Sequence, residues 1–106
     1  GTIPSSIGNL TELVTLDLGS NNIFGTIPQS LCNLDQMTYL DIGTNYLTST
    51  IPDCFGSLPR LQHLIVSINY LNGTIGATLG NLTNLVQLEL YNNFLTGSIP
   101  NSLSAL

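Results

Sequence analysis

Few side chains in this sequence are equipped for chemistry, and several of them share one column. Asp17, Asp41 and Glu89 recur at multiples of 24 residues, with Ile65 at the intervening place. On adjacent strands about 4.8 Å apart, Asp17 and Asp41 would repel, which raises one carboxyl or attracts a cation. Calcium takes about six to eight oxygens, more than the column offers. A solvated acidic stripe is therefore expected, with no metal site and no cofactor. His63 is the only histidine. As a general base it would need a nucleophile and an orienting carboxylate. Asp41 lies one strand away, but no Ser or Cys is placed beside the pair. The sequence favours a surface histidine on a binding face, so no residue is assigned a catalytic role. Gly73, Gly76 and Gly80 match neither the dinucleotide nor the P-loop spacing.

The elements that position these residues are written in the same interval. Asn21, Asn45, Asn69 and Asn93 stand 24 residues apart, as do Leu16, Leu40, Leu64 and Leu88, and Ile27, Ile51, Ile75 and Ile99. A fixed period of this length marks a solenoid, in which each unit buries its apolar side against the next. With Leu13 as position 1, a half-unit 1–12 precedes units 13–36, 37–60 and 61–84 and an incomplete unit 85–106. Positions 1, 4, 6, 11, 15, 19 and 22 are apolar in each full unit. Leu16 and Leu18 alternate as a short strand does. Residues 25–28 read as a second extended segment, and Leu31 and Leu34 fit a 3₁₀ or α turn. The Asn column has a cause as well. A stacked amide offers two donors and an acceptor to the tight turn after the strand.

Leu-x-x-Leu-x-Leu-x-x-Asn-x-Leu followed by Thr-Gly-x-Ile-Pro-x-x-Leu-Gly-x-Leu resembles the plant-type leucine-rich repeat. Residues 85–103, LVQLELYNNFLTGSIPNSL, match it almost throughout. The resemblance implies an α/β solenoid: a right-handed coil with a concave parallel sheet, a short second sheet on one flank and 3₁₀ or short helical segments on the convex side. Ser49, Gly76 and Cys32 depart from the pattern at positions usually held by Gly, Pro and Gly. The family implies a segment of a receptor-like protein, a receptor kinase ectodomain or a polygalacturonase-inhibitor-like protein, extracellular or at the cell surface. No family cap is evident. Ile7 and Leu10 would lie near one open end, and Leu103 and Leu106 near the other. A piece of a longer solenoid is expected, with end-to-end packing on other chains as the alternative.

Composition narrows the partners. Charged residues make up 7% of the chain, net charge is −5, and Arg60 is the single Arg or Lys. Nucleic-acid affinity rests on cationic side chains, so a phosphate-backbone partner is excluded. No apolar run approaches the roughly 18 residues of a membrane span, and no direct membrane contact by this segment is expected. Cys32 and Cys54, at positions 20 and 18 of neighbouring units, would have Cα atoms roughly 6–8 Å apart, at the limit of a bridge. Two half-buried free thiols are the expectation. Asn9, Asn72 and Asn81 begin Asn-x-Ser/Thr sequons, and Asn9 and Asn81 share a convex position where a glycan leaves the sheet clear.

Two surfaces remain for recognition. The outward positions of the concave sheet, 3, 5, 7, 8 and 10, vary from unit to unit. They carry Tyr39, Asp41, Tyr46, His63, Ile65, Ile68, Tyr70, Glu89 and Tyr91. Aromatic and branched side chains clustered on one rigid sheet read as an interface for a protein or peptide. The flank carries Thr2, Thr26, Thr50, Thr74 and Ser98 at position 14. Ordered hydroxyls on a flat face resemble ice-binding proteins, though Thr also suits an exposed strand. Phe24 and Asn72 interrupt the companion column. A purely structural solenoid segment is the third possibility.

Overall fold

The computed structural model describes residues 1–100; the expected places of Leu103 and Leu106 lie outside them. Each turn of the coil begins with a three-residue strand whose central leucine points inward. Strands β1 (Thr15–Asp17), β3 (Tyr39–Asp41), β5 (His63–Ile65) and β6 (Gln87–Glu89) form one parallel sheet in that order. Leu16, Leu40, Leu64 and Leu88 are in register across it, so the sheet keeps the sequence period. The core positions of 37–60 are all buried: Met37, Leu40, Ile42, Leu47, Ile51, Phe55 and Leu58. Each such side chain is worth about 1.5–3 kcal/mol of burial.

A second parallel pair, β2 (Phe24–Thr26) and β4 (Tyr46–Thr48), lies on the flank. Single bridges Thr50–Asn72 and Thr74–Thr96 continue it. Here the register slips by two, because Thr26 pairs with Thr48 rather than Thr50. The position-14 hydroxyls are therefore not strand partners of one another. Gly25, Gly73 and Gly97 take φ of +79 to +85° just before this column, and a Cβ on Gly73 would meet the Thr50 methyl at 2.9 Å. Ser49 adopts the same left-handed backbone at φ +68°, which tolerates the departure from Gly at some cost in strain.

The convex side is a stack of 3₁₀ turns at Ser5–Asn9, Gln29–Asn33, Asp53–Ser57 and Ala77–Asn81. Pro4, Pro28 and Pro52 lead into the first three at φ between −58 and −73°, a value that proline presets. Gly76 takes the fourth place at φ −68°. A Cβ there would lie 2.6 Å from Asp53 Oδ1, so the Asp53 side chain occupies the space a proline ring would need.

The thiols expected to be free are joined. Cys32 and Cys54 form a disulfide with Cα atoms 5.9 Å apart, within the span that bridges require. The turns stack so that position 20 of one coil meets position 18 of the next. A Cβ on Gly8 would fall 2.6 Å from the Ser30 carbonyl oxygen, and one on Gly56 would fall 2.2 Å from that of Thr78. That closeness calls for glycine elsewhere in the column. At Cys32 it is met by a covalent bond.

The asparagine ladder is present. Asn69 Nδ2 donates to the carbonyls of Ile42, Val66 and Ser67, while Oδ1 accepts from Leu47 N at 3.0 Å. Asn45 and Asn93 repeat the pattern on their own coils. Asn45 and Asn69 are buried, so each amide satisfies groups that would otherwise cost about 1–3 kcal/mol apiece.

Candidate ligand-binding surface

The nine side chains expected on the concave sheet divide into two clusters. The first lies on the inner face of β3, β5 and β6. Tyr39, His63 and Gln87 are strand partners in register. The Tyr39 and His63 rings stand 5.4 Å apart with planes tilted by 46°. His63 Nδ1 lies 3.0 Å from Gln87 Oε1, and Gln87 Nε2 donates to Glu89 Oε2. Glu89 Oε1 accepts from Ser67 Oγ at 3.2 Å. An amide whose NH₂ is given to Glu89 presents its oxygen to the imidazole, so Nδ1 carries the proton. Nε2 has no partner among the described residues. Gln87 and Ser67 were not singled out from the sequence. Gln87 shares the His63 column, which was the signal available.

Asp17 and Asp41 are strand partners, and each accepts from a backbone N–H two residues on, at Gly19 and Gly43. Burial raises the Asp41 carboxyl above its ordinary range, and the charges of Asp17 and Glu89 add to this. The Gly43 N–H and the Tyr39 hydroxyl work against the shift. The Tyr39 phenol is raised as well, by burial first and then by Asp41, Asp17 and Glu89. No hydrogen bond joins Asp41 to His63, so the pair does not form a dyad. Among the described residues no group of three or more His, Cys, Asp or Glu is placed to hold a metal ion.

Ile65 corrects an expectation. It is only 9% exposed, because its Cγ2 lies over Gly43, 3.1 Å from where a Cβ would stand. The missing side chain at Gly43 leaves a hollow that Ile65 fills. It is floor rather than contact surface. Tyr91, by contrast, is exposed, and it ends a column whose other members are Gly19, Gly43 and Ser67.

The second cluster lies past the turn, at the edge where the chain passes to the flank. Tyr46, Tyr70 and Phe94 form a ladder with centroids 6.0 and 5.9 Å apart and planes within 17° of parallel. Facing it are Ser20, Thr44, Ile68 and Asn92, and together they border a groove of about 620 Å³. All four take left-handed backbone, φ +55 to +58°. Asn accepts this conformation readily, but for a β-branched residue it is an outlier. Ile68 is also 40% exposed, so burial does not account for it.

On the flank, Thr2, Thr26, Thr50, Thr74 and Ser98 are all exposed. Their cross-strand neighbours are mixed, with Thr48, Asn72 and Thr96 opposite Thr26, Thr50 and Thr74. The Thr48 and Thr96 hydroxyls turn back to the carbonyls of Gly25 and Gly73. Asn9 and Asn81 close convex 3₁₀ turns, Asn72 sits on the flank, and all three are exposed. No helix among the described residues is long and apolar enough to cross a membrane.

A family model described as a leucine-rich repeat region matches residues 1–105. No curated protein sequence matches the chain. Among solved structures, the plant peptide hormone receptor RGFR1 in complex with RGF2 is 45% identical, with a TM-score of 0.96 over 99% of this chain and 17% of that one. The ectodomain of the Arabidopsis receptor kinase HAESA, in complex with an IDA peptide hormone ligand, is 38% identical, with a TM-score of 0.94 over 99% and 18%. A plant ice-binding protein is 34% identical, with a TM-score of 0.95 over 99% and 34%. The chain thus spans less than a fifth of the length of either receptor structure.

Proposed function

The chain belongs to the leucine-rich-repeat family, and we propose that it is a non-enzymatic recognition module that binds a protein or peptide through the inner face of its concave sheet. The observation that carries this is the linked set Tyr39, His63, Gln87 and Glu89, held in register on three adjacent coils with His63 Nε2 unengaged. Side chains fixed by one another lose little freedom when a ligand arrives, which favours affinity. Asp41 and Tyr91 extend the surface on either side. Peptide complexes of similar ectodomains support a peptide ligand.

An extracellular or cell-surface setting fits the Cys32–Cys54 disulfide and the ectodomain neighbours. The segment belongs in a larger receptor-like or inhibitor protein, with Asn9, Asn72 and Asn81 as glycan acceptors. Random displayed peptides selected on residues 1–106 test the assignment. Binders should lose roughly tenfold or more in affinity when Tyr39, His63 and Tyr91 are all changed to alanine. Retention of full affinity by that variant would place the site elsewhere.

The similarity to a plant ice-binding protein favours one second reading, ice binding through the flank threonines. The two-residue slip and the intrusion of Phe24 and Asn72 weigh against a regular hydroxyl lattice. An ice-recrystallisation assay on residues 1–106 decides it, and unimpeded crystal growth removes it.

A further inference from the structure

We infer that the edge groove is a separate binding site for a neutral, extended oligosaccharide of β-linked hexose units. Near-parallel rings with centroids 6.0 Å apart stand beyond face-to-face contact, at the distance of an offset stack. Tyr46, Tyr70 and Phe94 therefore overlap like shingles and leave part of each face open, and they are 50, 47 and 61% exposed. A β-hexopyranose presents a flat C–H face to such a ring and a rim of hydroxyls to whatever borders it. That rim would meet polar side chains with no partner among the described residues: Ser20, Asn22, Thr44 and Asn92, and the Tyr46 and Tyr70 hydroxyls.

Charge selects the class. None of the chain's Asp, Glu, Arg or His side chains lines the groove, although the whole chain is strongly acidic. A polyanion or a cationic peptide would find nothing there to pair with, whereas a neutral polyhydroxyl chain loses nothing. The backbone points the same way. Tyr46, Tyr70 and Phe94 already donate their N–H groups to Ile23, Leu47 and Leu71, and Asn45 and Asn69 to Ile68 and Asn92. These groove N–H groups are thus not open to an added peptide strand. Ile68, 40% exposed, supplies an apolar contact in the wall that faces the rings.

Calorimetric titration of residues 1–106 with cellohexaose tests the inference. Binding is expected, weakened roughly tenfold or more by Y70A and within about threefold of the parent in Y70F, which keeps the ring. The inner-face variant Y39A/H63A should bind the sugar as the parent does, which separates this site from the peptide surface. An oligogalacturonate of equal length should not bind. The inference is overturned by an absence of binding, by binding indifferent to Y70A, by equal affinity for the acidic oligomer, or by a proline-rich peptide that occupies the groove while cellohexaose does not. Y70A loses two ring contacts, so its unfolding midpoint should fall modestly, and a single cooperative transition should confirm that the fold is kept.

Discussion

The inner sheet face and the edge groove are built from neighbouring columns of the same coils, yet they hold their side chains in opposite ways. On the inner face Tyr39, His63, Gln87, Glu89 and Ser67 engage one another, and even the charged groups have partners. In the groove Tyr46, Tyr70 and Phe94 stack ring on ring, and about half of each side chain is open to water. The first surface suits a ligand read by directed hydrogen bonds, the second a ligand read by stacking. One asparagine ladder carries both, because it fixes the turn between them.

The largest expected effect removes that shared support. Asn69→Ala would strand Leu47 N–H and take one of two amide donors from each of the Ile42 and Val66 carbonyls, which keep those of Asn45 and Asn93, at about 3 kcal/mol in total. Denaturant unfolding should show that loss, and both surfaces should fail together. An unchanged midpoint would break the claim that they depend on one ladder. Reduction of the Cys32–Cys54 bond comes next, at about 3 kcal/mol from loop closure. The convex bridge lies away from both surfaces, so calorimetric unfolding should shift while binding at each persists below the new transition.

Ile68→Asn sharpens the contrast, since asparagine accepts left-handed backbone. The variant should be more stable by about 1 kcal/mol, read from the unfolding midpoint, and weaker for the groove ligand only. A loss of stability would mean that Ile68 is not strained. Asp41→Asn should give the smallest change. Burial, and then Asp17 and Glu89, raise the Asp41 carboxyl in the folded state, so the native protein holds that proton more tightly than the unfolded chain. Stability therefore falls as pH rises from the ordinary value of 3.8 through the raised one, and the penalty is complete above it. D41N should be the more stable protein at neutral pH, by less than about 1 kcal/mol. That advantage should vanish in acid, as paired melting curves across pH would show.

Much of this architecture was legible because it repeats. Leu16, Leu40, Leu64 and Leu88 named the sheet register, and Asn45 and Asn69 named the ladder, since an interval conserved within one chain reports stacked positions directly. What was missed depended on offsets between columns. The two-residue slip that pairs Thr26 with Thr48 and brings Cys32 to Cys54 follows from the pitch of the coil, which no single column records. Ile65 read as an outward residue, but its burial depends on the hollow at Gly43, one strand away and two positions on. Gln87 lacked any chemical signature of its own. It gains a role only because His63 and Glu89 flank it across and along the strand. The nine expected contacts were placed on one surface by position number alone, and the turn at Ile68 divides them.

The most direct measurement of the central claim is an NMR titration of residues 1–106 with a peptide selected on the native protein, following the ring signals of His63 and Tyr70 together. Peptide recognition by the inner face predicts that the His63 imidazole shifts in a saturable way while the Tyr70 ring stays in place. Movement of the Tyr70 and Phe94 rings with a still His63 would contradict it.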